Sequence, residues 1–147
     1  MKRKIVNECK VQFPALSRNE SLSRSAAAAF ALQSDPTVEE TAAIKTAVSE
    51  AVTNAIVHGY RDSTGMVELN MKLFEGGVIY IQVRDKGRGI EDVSEAMKPM
   101  FTTAPADEER SGLGFTVMES FMDKVKVRSV AGCGTTVTLE KRIGGKG

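Results

Sequence analysis

One stretch of this chain, residues 37–59, does two things at once. Ile44, Val48, Val52 and Ile56 recur every four residues, which sets an apolar, slowly drifting face on a helix. Glu50, Asn54 and His58 recur at the same spacing well around that helix, so they form a polar stripe. Ala47, Ala51 and Ala55 flank the stripe and leave room for something to approach. Thr37-Val38-Glu39-Glu40 supplies a capping box at the start, and Gly59 after His58 is a natural stop. A helix that must bury one side and carries a carboxylate and an amide on another constrains everything around it. Such a pair one turn apart suits a divalent cation and an attacking nucleophile. A solvated polar face has the same pattern, so the stripe needs company before it means chemistry. His58 suits hydrogen bonding at the helix end, near the negative pole of the dipole.

The rest of the chain places elements around that helix. Residues 8–13 alternate as a strand ending at Pro14. Ser17-Arg18-Asn19-Glu20 has capping-box form and opens a helix to about Leu32, with Ala26–Ala29 favouring helix and close packing. Strands are expected over 66–74 and 78–84, joined at Gly76-Gly77, after a turn at Asp62–Gly65. A short helix is expected over 91–97 and a long loop over 98–112, of the kind that forms lids. A helix from Gly114 to Met122 and strands over 124–130 and 134–140 close the pattern. The order implies one domain over 1–147, an α+β sandwich with helices on one face of a mixed sheet.

Composition narrows the function classes. The chain has 147 residues, 41% hydrophobic and 27% charged, with formal net charge +1. That balance argues against nucleic-acid binding by charge. No apolar run suggests a signal peptide or a membrane span. Cys9 and Cys133 are far apart and only one histidine is present, which speaks against zinc and fits a reduced cytoplasmic protein.

Two further motifs keep the polar stripe company. Asp85-Lys86-Gly87-Arg88-Gly89 ends a strand; a buried carboxylate there accepts from an exocyclic amino group, and the glycines admit a flat ring. Aspartate with glycine at a strand end is also an ordinary turn. Ser111-Gly112-Leu113-Gly114 runs into a helix, whose first N–H groups bind phosphate. Thr102 and Thr103 in the long loop, and Thr135 in Gly134-Thr135-Thr136, are within the chemistry of phosphate contact but ordinary in loops and strands. Met97, Met100, Met118 and Met122 fit core filling.

These segments, from Ile44 to Tyr60, Arg84-Asp85, Pro99 to Thr103, Glu109 to Glu119 and Gly134 to Thr136, resemble those of the GHKL ATPases, the Bergerat ATP-binding fold. Gyrase-type ATPases, histidine kinases and MutL-like proteins share it. The closer resemblance is to the anti-sigma serine kinases of spore-forming bacteria, and it covers nearly the whole chain. It implies ATP or ADP with Mg²⁺, a homodimer, a sigma factor held inactive, and phosphorylation of a serine on an anti-anti-sigma protein. It implies that Glu50 is the catalytic base, Asn54 the magnesium ligand and Asp85 the adenine acid. It also implies partner contacts at Arg24 and at Arg110, the latter at the end of a lid over about 99–112. The chain departs from the family pattern at Lys86 and Arg88, at Ala104 in place of a lysine, and in a lid one residue longer. A stress-response anti-sigma kinase, a nucleotide-gated binding module without catalysis, and an ATPase domain from a larger machine are the rival readings. Glu50 speaks against the second, since binding alone needs no carboxylate there.

Overall fold

The computed structural model describes residues 3–60, 65–87 and 114–144. Strand β1 (Ile5–Pro14) leads to helix α1 (Asn19–Ala31) and a single 3₁₀ turn over Leu32–Ser34. Helix α2 (Val38–Asn54) follows, continued by a π-helical turn over Ala55–Gly59. Strands β2 (Met66–Phe74) and β3 (Val78–Asp85), helix α3 (Gly114–Phe121) and strands β4 (Lys124–Val130) and β5 (Gly134–Arg142) complete the described elements. The helix expected over 91–97 and the loop expected over 98–112 lie outside the described residues.

The five strands form one sheet in the order β1-β2-β3-β5-β4. Each pairing is antiparallel, which corrects the expected mixed sheet. The reason is the position of the last hairpin. The crossover from β3 through α3 leaves β4 running the same way as β3, one strand away. The hairpin around Gly132 then returns β5 into the gap, so both of its neighbours become antiparallel partners. Strand β1 also begins earlier than its apolar alternation suggested, because Ile5 to Pro14 find ladder partners on β2 with a bulge between Ile5 and Asn7.

The period of two decides which side of the sheet is covered. Val67, Leu69, Met71 and Leu73 of β2 are buried, as are Ile79, Ile81 and Val83 of β3 and Val137 and Leu139 of β5. Against them lie Ile44, Val48 and Val52 of α2, all at 0% exposure. Burying each such side chain contributes about 1.5–3 kcal/mol. Helix α2 packs between α1 and α3. Met118 and Met122 are core residues, the role expected of them.

The two helix starts behave differently. At α2 the capping box forms: Thr37 Oγ1 accepts from Glu40 N at 3.0 Å, and Glu40 accepts from Thr37 N at 2.9 Å. The other Glu40 oxygen accepts from Gly144 N at 3.0 Å. These bonds hold the Glu40 carboxyl below the ordinary range, chiefly the one from Thr37 N. At α1 the expected box does not form. The helix begins after Arg18, without a side-chain cap. Glu20 is drawn away by a tertiary partner: it accepts from Ser49 Oγ on α2 at 2.6 Å and pairs with Arg24 Nε at 3.2 Å.

A candidate nucleotide site on helix α2 and the ends of strands β3 and β5

Helix α2 carries Glu50 and Asn54 on its partly buried side, with Ala47, Ala51 and Ala55 buried beside them. The small residues let other backbone come close. Helix α3 does so through Gly114, its first residue. A Cβ built there would lie 3.0 Å from Asn54 Nδ2 and 3.5 Å from Glu50 Oε1. Glycine is therefore what lets the start of one helix rest on the polar stripe of the other, and the structure joins two motifs separated by 60 positions of sequence (Asn54 to Gly114).

Asn54 has unmet capacity. Its Nδ2 is buried and has no hydrogen-bond partner among the described residues. A buried amide group left unpaired costs free energy unless a ligand meets it. Rotation about its terminal bond offers either an N–H to a phosphate oxygen or Oδ1 to a cation. Among the described residues no group of three His, Cys, Asp or Glu side chains could hold a metal ion. A cation here would depend on Asn54 together with phosphate oxygens and water, as Mg²⁺ commonly does. The π-helical turn begins immediately after Asn54, a widening of the helix that often marks functional positions. His58 lies within that turn and is half-buried, rather than at the end of a regular helix.

Asp85 closes β3 in phase with Ile79, Ile81 and Val83, so it faces the helix layer. It is only 8% exposed. Burial pushes its carboxyl above the ordinary aspartate value; N–H donors from Gly87 and Thr135 oppose that shift without cancelling it. The Gly87 N–H reaches Asp85 Oδ1 at 2.9 Å, so the turn reading is satisfied as well as the buried-acid reading. Thr135 stands opposite Asp85 in the ladder and is itself buried. Its hydroxyl is engaged with Ser129 Oγ at 2.8 Å, while its backbone N–H donates to the Asp85 carboxyl. Gly134 has φ +124, and a Cβ there would overlap the Asp85 carbonyl oxygen. Only glycine fits that close approach.

Tyr60 was not singled out by the sequence. Its buried hydroxyl donates to Met66 O at 2.8 Å and accepts from Lys86 N at 2.7 Å. It thereby ties the end of the α2 segment to the start of β2 and the end of β3. A Cβ at Gly65 would overlap its ring. The only available sequence signal was an aromatic residue directly after the helix stop Gly59.

Arg24 lies on α1 with its side chain 40% exposed. Its partner Glu20 reaches Ser49, the residue before Glu50, so it stands closer to the α2 stripe than sequence position implied. Gly89, Thr102, Thr103, Arg110, Ser111, Gly112 and Leu113 lie outside the described residues, as do Arg88 and Ala104.

The site has a stripe of carboxylate and amide on one helix, a glycine helix start against it, and a dry acid at a strand end. The chain belongs to the histidine kinase-like ATPase family, whose model matches residues 13–141. Members carry an ATPase domain, so this chain binds nucleotide through a kinase-type fold. Its relatives make the assignment narrower. It is 54% identical over 138 residues to the anti-sigma F factor of Geobacillus kaustophilus, covering 93% of each chain. It is 51% identical over 138 residues to the anti-sigma F factors of Priestia megaterium, covering 93% of each, and of Thermoanaerobacter sp., covering 94% and 95%. Among solved structures, the RsbU and RsbW domains of Rv1364c from Mycobacterium tuberculosis share the fold, with TM-score 0.68, 21% identity, and coverage of 94% of this chain and 32% of that one. A blue-light activated histidine kinase from Erythrobacter litoralis matches with TM-score 0.57 and 26% identity, over 74% and 32% of the two chains. No helix among the described residues is long and apolar enough to cross a membrane.

Proposed function

We propose that this chain is an anti-sigma factor that is also an ATP-dependent protein serine kinase. It sequesters a sporulation sigma factor of the F type and phosphorylates a serine on the anti-anti-sigma protein that opposes it. The observation that supports this reading most is the approach of Gly114 to Glu50 and Asn54, which gives a phosphate-binding helix start, an unpaired amide and a carboxylate one common centre. Simple nucleotide binding has no use for the carboxylate.

In this reading Asp85 accepts a hydrogen bond from the adenine amino group, with Thr135 acting through Asp85 and Gly87 and Gly89 letting the ring approach. The N–H groups of Ser111, Gly112, Leu113 and Gly114 receive phosphate oxygens at the positive pole of α3. Thr102 and Thr103 add hydroxyls from the lid, residues 99–112. Asn54 would hold Mg²⁺, and the ion when bound would neutralise charge on the phosphates. Glu50 orients the serine hydroxyl of the substrate and takes its proton as the oxygen attacks the γ-phosphorus. ADP then remains in the site. Positioning and electrostatics account for most of the acceleration. Arg24 and Arg110 contact protein partners. The chain acts as a cytoplasmic homodimer, without direct contact to nucleic acid or membrane.

The test is to incubate the chain with ATP, Mg²⁺ and an anti-anti-sigma protein and to look for phosphoserine by mass spectrometry. Phosphoserine is expected with the wild type and strongly reduced with Glu50→Gln. If ATP and the sigma factor bind but no phosphoserine forms, the chain is a nucleotide-gated binding module instead.

A further inference from the structure

Glu20 stands at capping-box spacing from Ser17, yet it leaves the start of α1 without a side-chain cap. A cap is a favourable use of such a residue, so its diversion is a local rule broken in favour of something else. Its carboxylate reaches across to α2. One oxygen, Oε2, accepts from Ser49 Oγ at 2.6 Å and pairs with Arg24 Nε at 3.2 Å. Ser49 directly precedes Glu50. The Glu20 side chain is 23% exposed and that of Arg24 40%, so the ion pair adds little to stability by itself. What it does is draw the guanidinium toward the carboxylate that Ser49 anchors. The pairing leaves the guanidinium partly exposed, on the side of α1 where Glu20 meets Ser49. An arginine left to swing must be ordered at the moment of contact, whereas one already held loses less entropy.

We infer that Glu20 is a positioning residue: anchored by Ser49, it holds the Arg24 guanidinium in the direction needed to meet a protein partner. The inference rests on the proposed partner contact of Arg24, and it names the groups that make that contact ready-made. It also fastens α1 to the turn of α2 that carries Glu50, so the contact surface and the nucleotide helix share one carboxylate.

The experiment is a double-mutant cycle with purified full chains and a sporulation sigma factor of the F type, read by calorimetry. Glu20→Gln keeps the size and an acceptor for Ser49 but removes the charge behind Arg24. It should lower affinity roughly 3–10-fold, the expected effect of having to order one long side chain on binding. Arg24→Ala should lower it more, and Glu20→Gln should add nothing in the Arg24→Ala background. Ser49→Ala, which frees Glu20, should act in the same direction and more weakly. Melting curves should show each variant cooperatively folded, with Tm lowered by a few degrees at most. Equal losses in both backgrounds would overturn the inference, because Glu20 would then act by contact or through the general fold. An unchanged Glu20→Gln beside a weakened Arg24→Ala would also overturn it, leaving the partner role of Arg24 standing. Wild-type affinity in Arg24→Ala would remove both.

Discussion

Helices α1 and α2 begin with the same four-residue signal and end up with different starts. Thr37 and Glu40 close their box, and Glu40 also accepts from Gly144, so local and tertiary demands agree at α2. Ser17 and Glu20 do not, because Ser49 and Arg24 compete for the same carboxylate at α1. A capping box contributes about 1 kcal/mol, and a charge-assisted bond from a half-buried hydroxyl together with an arginine outweighs it. The difference teaches where a local rule can be trusted: it holds where no stronger partner is within reach. Asp85 is a third case, where one residue serves both the turn and the buried site.

The largest effect should come from the helix whose local signals all hold. Glu50→Gln keeps size and hydrogen bonding but removes the base. Phosphotransfer should fall roughly 10²–10⁴-fold, with nucleotide binding retained. Near-normal turnover, measured by phosphoserine formation, would remove Glu50 from the chemistry.

Asp85→Asn separates the local role from the tertiary one. Asparagine serves the turn equally well, so a pure turn residue predicts no change. The buried acceptor predicts a loss of about 10–100-fold in ATP affinity by calorimetry, with GTP rejected by the wild type. The pH dependence has a sign. Burial raises the folded carboxyl above 3.8, so the folded state holds that proton more tightly than the unfolded chain. Its stabilising contribution is complete below the unfolded value and is lost as pH rises through the raised one. Relative to Asp85→Asn, the wild type should therefore lose stability as pH rises through that window, read from urea unfolding across the acid range.

The helix starts give the smallest and most direct comparison. Thr37→Ala should cost about 1 kcal/mol, within a range of roughly 0.5–2. Ser17→Ala should stay within about 0.5 kcal/mol, because that side chain caps nothing. Equal losses in urea melts would mean that both boxes form in solution.

Much of this was legible in the chain. The apolar repeat from Ile44 to Ile56, the strands from Met66 and Val78, and the helix starting at Gly114 were readable because burial imposes its period directly on sequence. The stripe of Glu50 and Asn54 was readable for the same reason. The π-helical turn after Asn54 was not, since α and π segments share composition. Tyr60 was not, because its hydroxyl joins groups brought together only when β2 and β3 pair.

The sequence by itself determined the helices and strands, which side of each is apolar, and where glycine is available. It did so because those properties depend on neighbours within a turn or two. Tertiary structure decided that β5 lies between β3 and β4, that Gly114 rests on Asn54, and that Gly134 passes against Asp85. It also decided that Glu20 belongs to Ser49 and Arg24 rather than to its own helix start. Those outcomes depend on which distant groups share a small, partly dry volume, where a hydrogen bond or a clash outweighs any local preference.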